Sequence, residues 1–379
     1  MPLSKKVFIF SSVGLIILLL FWGIYNLSFK PSSKTQTPKT ADNSSASTAS
    51  VKVPAKISTL TDESITSPFL TTDNNIKYYS KETGKTYQIS LDGTNKKVLS
   101  DTALPGLVIA LWSPDGTKVI SKFIRDGQTK FYYYNYTESK GVALMDNIDT
   151  LVWQSNNRIL YKYYDPKTKA RTISVADPDG SNWSKITDLT YKDVVIAPIP
   201  KTGLISFWNA ADAYAATSFQ SVSVIGGEKK DIFKNYFGAD YLWSPDGNNV
   251  LVSHSEATPG SKTQVGVAND NGGEYKNLDM PTFVSKCAWS LDNKTVYYAL
   301  PGQIPDGMVL PNDYNESKFN TIDTFWKVDI TTGKKDRIID PDALSKIGAI
   351  DATRLFLNAN ESALLFINRT DGKLYRIDL

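Results

Sequence analysis

Chemistry that depends on histidine or cysteine has one candidate of each in this chain, His254 and Cys287. A lone cysteine excludes an internal disulfide and a cysteine-built zinc site, and a lone histidine leaves no ligand pair and one candidate general base. No Gly-x-Ser-x-Gly nucleophile elbow occurs. Both residues therefore read as buried packing groups, with no catalytic residue and no metal or other cofactor assigned. The carboxylates Asp115, Asp177, Asp179, Asp246 and Asp292 lie in turn-forming contexts, where an Asp side chain bonds its own backbone, and Asp177-Pro-Asp-Gly is far short of a calcium loop.

A different chemistry, binding without covalent change, is written into three long polar stretches. These are NAADAYAATS after Trp208, SEATPGSKT after His254, and the 23-residue run LPGQIPDGMVLPNDYNESKFNTI at 300–322. Tyr214, Phe219, Met308 and Tyr314 offer contact area; Asp212, Glu256, Asp306 and Asp313 offer polar specificity. The plainer reading is that surface loops tolerate extra length.

The elements that hold these loops are repeats. Leu111-Trp-Ser-Pro-Asp-Gly116 and Leu242-Trp-Ser-Pro-Asp-Gly247 are each followed by an alternating strand, and Ala288-Trp-Ser-Leu-Asp-Asn293 is a third copy. Ser, Pro and Gly at the first, second and fourth positions are type I turn preferences, and Asn replaces Gly where a positive φ is wanted. Weaker copies place the anchor at 69, 112, 153, 197, 243, 289 and 357, with steps of about 41–46 residues before the last, the period of four-stranded propeller blades. Second hairpins such as RTISVADPDGSNWSKIT and FWKVDITTGKKDRII complete each blade. The final copy ends at Leu379 one strand short, and residues 51–60 supply the missing strand. The fold class expected is all-β, a propeller of seven four-stranded blades over residues 51–379, closed by an N-terminal strand. On such a ring the three long connections fall on one face of neighbouring blades.

The Trp-Ser-Pro-Asp-Gly units at 112–116 and 243–247 resemble the WD40-like repeats of TolB-type propellers and of the propeller domains in prolyl-oligopeptidase-like enzymes. The resemblance covers about residues 55–379 and implies the fold, together with an extracytoplasmic protein-binding role. TolB proper carries an additional N-terminal α/β domain and a cleaved signal, which the start of this chain does not match.

That start reads as a short basic tail at 1–6, an uncharged apolar stretch at 7–29 and a Ser, Thr and Pro-rich linker at 30–50. The apolar stretch is long enough to span a bilayer and longer than the core of a signal peptide, so a single-pass transmembrane helix is expected. Lysines flank both ends, so charge does not decide orientation. An uncleaved first segment behind a minimal basic tail places the N-terminus inside and the propeller outside. The net charge of +3 argues against a nucleic-acid partner. The expected function is a membrane-anchored binding or scaffolding module for a protein or cell-envelope polymer; the alternative is a carbohydrate-active or other hydrolase or lyase using carboxylates on the loop face.

Overall fold

In a computed structural model, residues 56–379 are described. The expected tail, transmembrane helix and linker, and residues 51–55 of the closing strand, lie outside them. Among the described residues, no helix is long and apolar enough to cross a membrane.

Alternating apolar residues on short segments separated by tight turns give antiparallel hairpins, and these assemble into seven four-stranded sheets. The blades span 65–100, 107–143, 148–189, 194–237, 240–280, 287–337 and 352–378. The last has three strands of its own and takes its outermost from Ile57–Thr59, with Ile57 opposite Ile377 and Thr59 opposite Tyr375. Backbone bonds extend the seam at both ends, from Leu60 N–H to Leu374 O and from Asp378 N–H to Lys56 O.

The repeated turn behaves as its residue types dictate. Gly116 and Gly247 adopt φ of 67° and 77°, and Asn293 takes the same place at 57°. Each closes on the serine three residues earlier, with N···O distances of 2.8, 2.9 and 3.1 Å. Trp112, Trp243 and Trp289 then pair with Val119, Val250 and Val296 in one register. Four indoles tie their blades to the one before: Trp112 donates to Ser67 O, Trp153 to Leu111 O, Trp243 to Ser206 Oγ and Trp289 to Leu242 O. A second linkage runs forward along the turns. Asp115 N–H donates to Asn156 and Asp246 N–H to Asn293, each a residue of a later blade's turn.

Because each sheet buries both faces against its neighbours, the core is divided among the seven blade junctions. The junction of blades four and five is filled by Trp208, Phe219, Phe233, Tyr241 and Trp243, with Phe219 stacked on Tyr241 at 4.0 Å. His254 completes the outer part of this packing: Nε2 lies 3.0 Å from Tyr275 Oη, and the ring meets Tyr236 at 4.6 Å. Burial holds its pKa below the usual imidazole value. Cys287 is buried in the junction of blades five and six, and burial pushes its thiol pKa up. The junction of blades one and two is filled least, its buried residues being Tyr79, Ala110, Trp112 and Val119.

Candidate functional site

The loop face of the ring carries the connections between second and third strands and those between blades. The longest of them, the segment between Pro301 and Asp323, does not project as a free loop. It runs from blade six over blades four, five and seven. A short helix, Asn312–Asn315, forms its centre. Ala213 N–H donates to Asn312 Oδ1 at 2.8 Å, and Asn312 Nδ2 donates to Asp212 Oδ1 at 2.9 Å. Over blade five, Leu310 N–H donates to Gly260 O at 2.9 Å and accepts at its own carbonyl from Ser255 Oγ at 2.7 Å. Leu310 and Tyr314 join Phe283 in a small core of their own, with Tyr314 stacked on Phe283 at 4.7 Å and 6°.

Beneath this strap lies a charged cluster. Lys286 Nζ meets Asp323 Oδ2 at 2.6 Å and Asp351 Oδ1 at 2.7 Å, all three side chains fully buried. The ammonium also donates to Thr321 Oγ1 and Ala352 O. Burial alone would lower the lysine pKa, but Asp323 and the groups around it raise it above the ordinary value. Asp351 accepts from Tyr314 Oη at 2.7 Å and from Thr321 N–H at 3.2 Å, and its pKa is lowered because Lys286 outweighs the effect of burial. Arg369 lies 4.0 Å over the Tyr314 ring and donates to Tyr314 O and Ser317 Oγ. Two carboxylates, a lysine, an arginine and a tyrosine are types that could perform proton transfer. Here the lysine, the tyrosine hydroxyl and both carboxylates bond one another, Arg369 Nη1 lies 3.7 Å from Asp351 Oδ2, and the two carboxylates are closed off from solvent.

The eight residues singled out from sequence occupy different situations. Asp212, half-buried, braces the strap and caps Tyr214 N–H at 3.0 Å. Asp313 holds Val309 N–H and Lys318 within the strap. Tyr314 and Phe219 are buried in separate cores. Tyr214, at 62% exposure, faces solvent with Glu256 and Asp306, and Met308 is half-exposed. Lys286, Asp323, Asp351 and Arg369 belong to no motif and are joined only by folding, so nothing local in the chain marks them as a group.

The turn face has a separate opening of about 330 Å³ at the ends of inner strands, lined by Leu70, Leu242, Trp289, Leu355, Leu357 and Glu361 among others. The Glu361 carboxylate accepts from Ser290 Oγ at 2.7 Å, again bridging adjacent blades. Among the described residues, no group of three or more His, Cys, Asp or Glu side chains could hold a metal ion.

Repeated turns, four-stranded blades and N-terminal closure define a seven-bladed β-propeller. Solved structures similar to it include an oligogalacturonate lyase from Vibrio parahaemolyticus, at 12% identity over 87% of this chain and 94% of that one, with a TM-score of 0.60. Two others are the β-propeller domain of the Trilobed protease from Pyrococcus furiosus (11%, 86% and 93%, TM-score 0.54) and the Cps50 (Swd1) β-propeller domain from Myceliophteria thermophila (8%, 85% and 99%, 0.54). Identities this low show a shared fold alone. No protein-family model and no curated protein sequence matches the chain.

Proposed function

We propose that the chain is a non-enzymatic binding or scaffolding propeller, held at a membrane by its apolar segment at 7–29 with the propeller on the extracytoplasmic side. Its partner is a protein or a cell-envelope polymer. The observation that carries this reading is the strap. A long insertion that is folded, braced against three blades and supplied with its own aromatic core forms a rigid platform, and it leaves Tyr214, Glu256, Asp306 and part of Met308 facing outward. Rigid display lowers the ordering cost of binding. The fully buried carboxylates beneath it, both bonded to Lys286, support binding over catalysis.

The test is affinity capture with the full chain, alongside a variant carrying Tyr214→Ala, Glu256→Lys and Asp306→Lys. Specific capture that the triple variant loses, at unchanged melting temperature, supports the loop-face platform. Equal capture by both proteins refutes it. The enzymatic alternative draws on Asp323 and Asp351 and requires the strap to lift; turnover of a saccharide that Asp351→Asn abolishes would establish it instead. Protease access to the linker at 30–50 on intact cells tests the orientation.

A further inference from the structure

The junction of blades one and two is filled thinly at its outer side. In blades three, four and five the outermost strand contributes buried apolar side chains: Ile186 and Leu189, Ile232 and Phe233, Leu278 and Met280. The outermost strands of blades one and two, Lys97–Ser100 and Lys140–Ala143, contribute none. Gly141 has no side chain to add, and a Cβ there would meet Tyr134 Cδ2 at 3.1 Å. A cleft of about 380 Å³ is left between the blades, within the size range of small-ligand sites.

Its lining is specific. Phe123, Tyr132, Tyr134 and Tyr136 supply ring surface, with Tyr134 edge-on to Tyr136 at 5.0 Å and Phe123 edge-on to Tyr132 at 5.5 Å. Ser100, Thr102 and Ser121 add hydroxyls around these rings, while the buried Thr86 hydroxyl pairs with Tyr136 Oη at 3.2 Å. No carboxylate lines the cleft, and its one charged lining residue is Arg125. That guanidinium lies 5.3 Å from the Phe123 ring and 5.7 Å from the Tyr132 ring, with no salt-bridge partner among the described residues.

The geometry points to an acidic-glycan site in this cleft. A pyranose ring presents C–H groups on its faces and hydroxyls at its rim, matching aromatic walls interspersed with groups that both donate and accept. An apolar peptide side chain would use the rings and leave the hydroxyls unmatched. A carboxylate or sulfate on the sugar supplies the anion that Arg125 lacks, and the absence of lining carboxylates removes repulsion. This site rests on the reading of the propeller as a binding module and names a ligand class for it, at a place apart from the loop-face platform.

The experiment is affinity electrophoresis of the full chain in detergent through gels containing alginate, an acidic polysaccharide, or dextran, a neutral one. Alginate is expected to retard the protein strongly and dextran weakly. Arg125→Ala should weaken the alginate interaction about tenfold, as loss of a charged hydrogen bond does. Tyr134→Ala should abolish it, and so should Val142→Asp, which sets a carboxylate on an exposed lining position. Tyr134→Phe, which keeps the ring, should retain part of it. No retardation by alginate, retention undiminished by Val142→Asp at unchanged melting temperature, or displacement by a short apolar peptide and by no saccharide would each overturn the site. Failure of alginate binding with partner capture intact would sink the cleft alone. Cleavage of the alginate would instead sink the binding-module reading.

Discussion

Lys286 and Asp351, 65 residues apart, meet at the junction of the sixth and seventh blades with 2.7 Å between ammonium and carboxylate, neither side chain exposed to solvent. The pair, with Asp323 on its other side, anchors the floor on which the strap rests. A buried ion pair adds little net stability over an apolar replacement, but removing one partner is costly because the other is left charged and unsolvated. Lys286→Met should therefore destabilise the propeller by about 3–5 kcal/mol in urea unfolding. Loss of less than about 1 kcal/mol would mean that the carboxylates find other partners.

The Tyr314 hydroxyl is the strap's own polar contact with that floor. Tyr314→Phe keeps the stack on Phe283 and deletes only the bond to Asp351, so a global loss of about 1–2 kcal/mol is expected. Limited proteolysis should cut within 302–322 sooner in this variant than in the parent protein. A digestion pattern identical to the parent's would show that the Phe283 stack alone holds the strap.

Asp240 gives the stability a defined pH dependence. Half-buried at the start of the fifth blade, it accepts from Trp208 Nε1 at 2.9 Å and from Tyr241 N–H at 3.0 Å, and desolvation there pushes its pKa from 3.8 up to about 6. An acid with a raised folded pKa binds its proton more readily when folded, so its contribution to stability grows as pH falls from about 6 toward 4 and is lost as pH rises through 6. Asp240→Asn removes this titration while keeping an acceptor. At pH 7 the variant should be more stable by about 1–3 kcal/mol, an advantage that disappears near pH 4. Parallel melting curves for both proteins across pH 4–7 would contradict the assignment.

Closure of the ring depends on the strand Ile57–Thr59. Deleting residues 51–60 removes the buried side chains of Ile57 and Leu60 and uncovers the edge of the last strand. Burial of two such side chains contributes roughly 3–6 kcal/mol. A marked fall in melting temperature is expected, together with concentration-dependent association through the exposed edge. An unchanged melting temperature would rule out the seam as a stabilising element.

The propeller was legible in the chain because its signals are local and repeated. Trp112, Trp243 and Trp289 carry the same turn chemistry and the same strand register, so their spacing reads out the blade period directly. The closing strand was legible by arithmetic, since a final repeat one strand short needs a partner from the other end. The long loops were also visible as loops, and the clustering of their anchors over blades four to six follows from the ring. Their internal architecture was not visible. Tyr314 and Asp313 look like exposed contact residues in a polar stretch, yet their partners Phe283, Asp351 and Lys318 make them packing groups. The Lys286 cluster and the aromatic cleft share the same obstacle, because each is built across a blade junction from residues with no common motif. The cleft is defined by what Lys140–Ala143 fails to bury, and a missing side chain leaves no pattern to find.

The seam also orders events in time. Ile57 is among the first propeller residues to be synthesised, and its partner Ile377 lies in the last strand of the ring. Neighbouring strands within the blades can pair as soon as they emerge, whereas this pairing must wait for all seven blades. The largest loop in the fold is thus closed only once the last blade has been made, when the intervening hairpins have already shortened the distance its ends must search. Until then the last blade exposes an unpaired edge, and the newborn protein is an open arc whose one vacant strand position belongs to its own beginning.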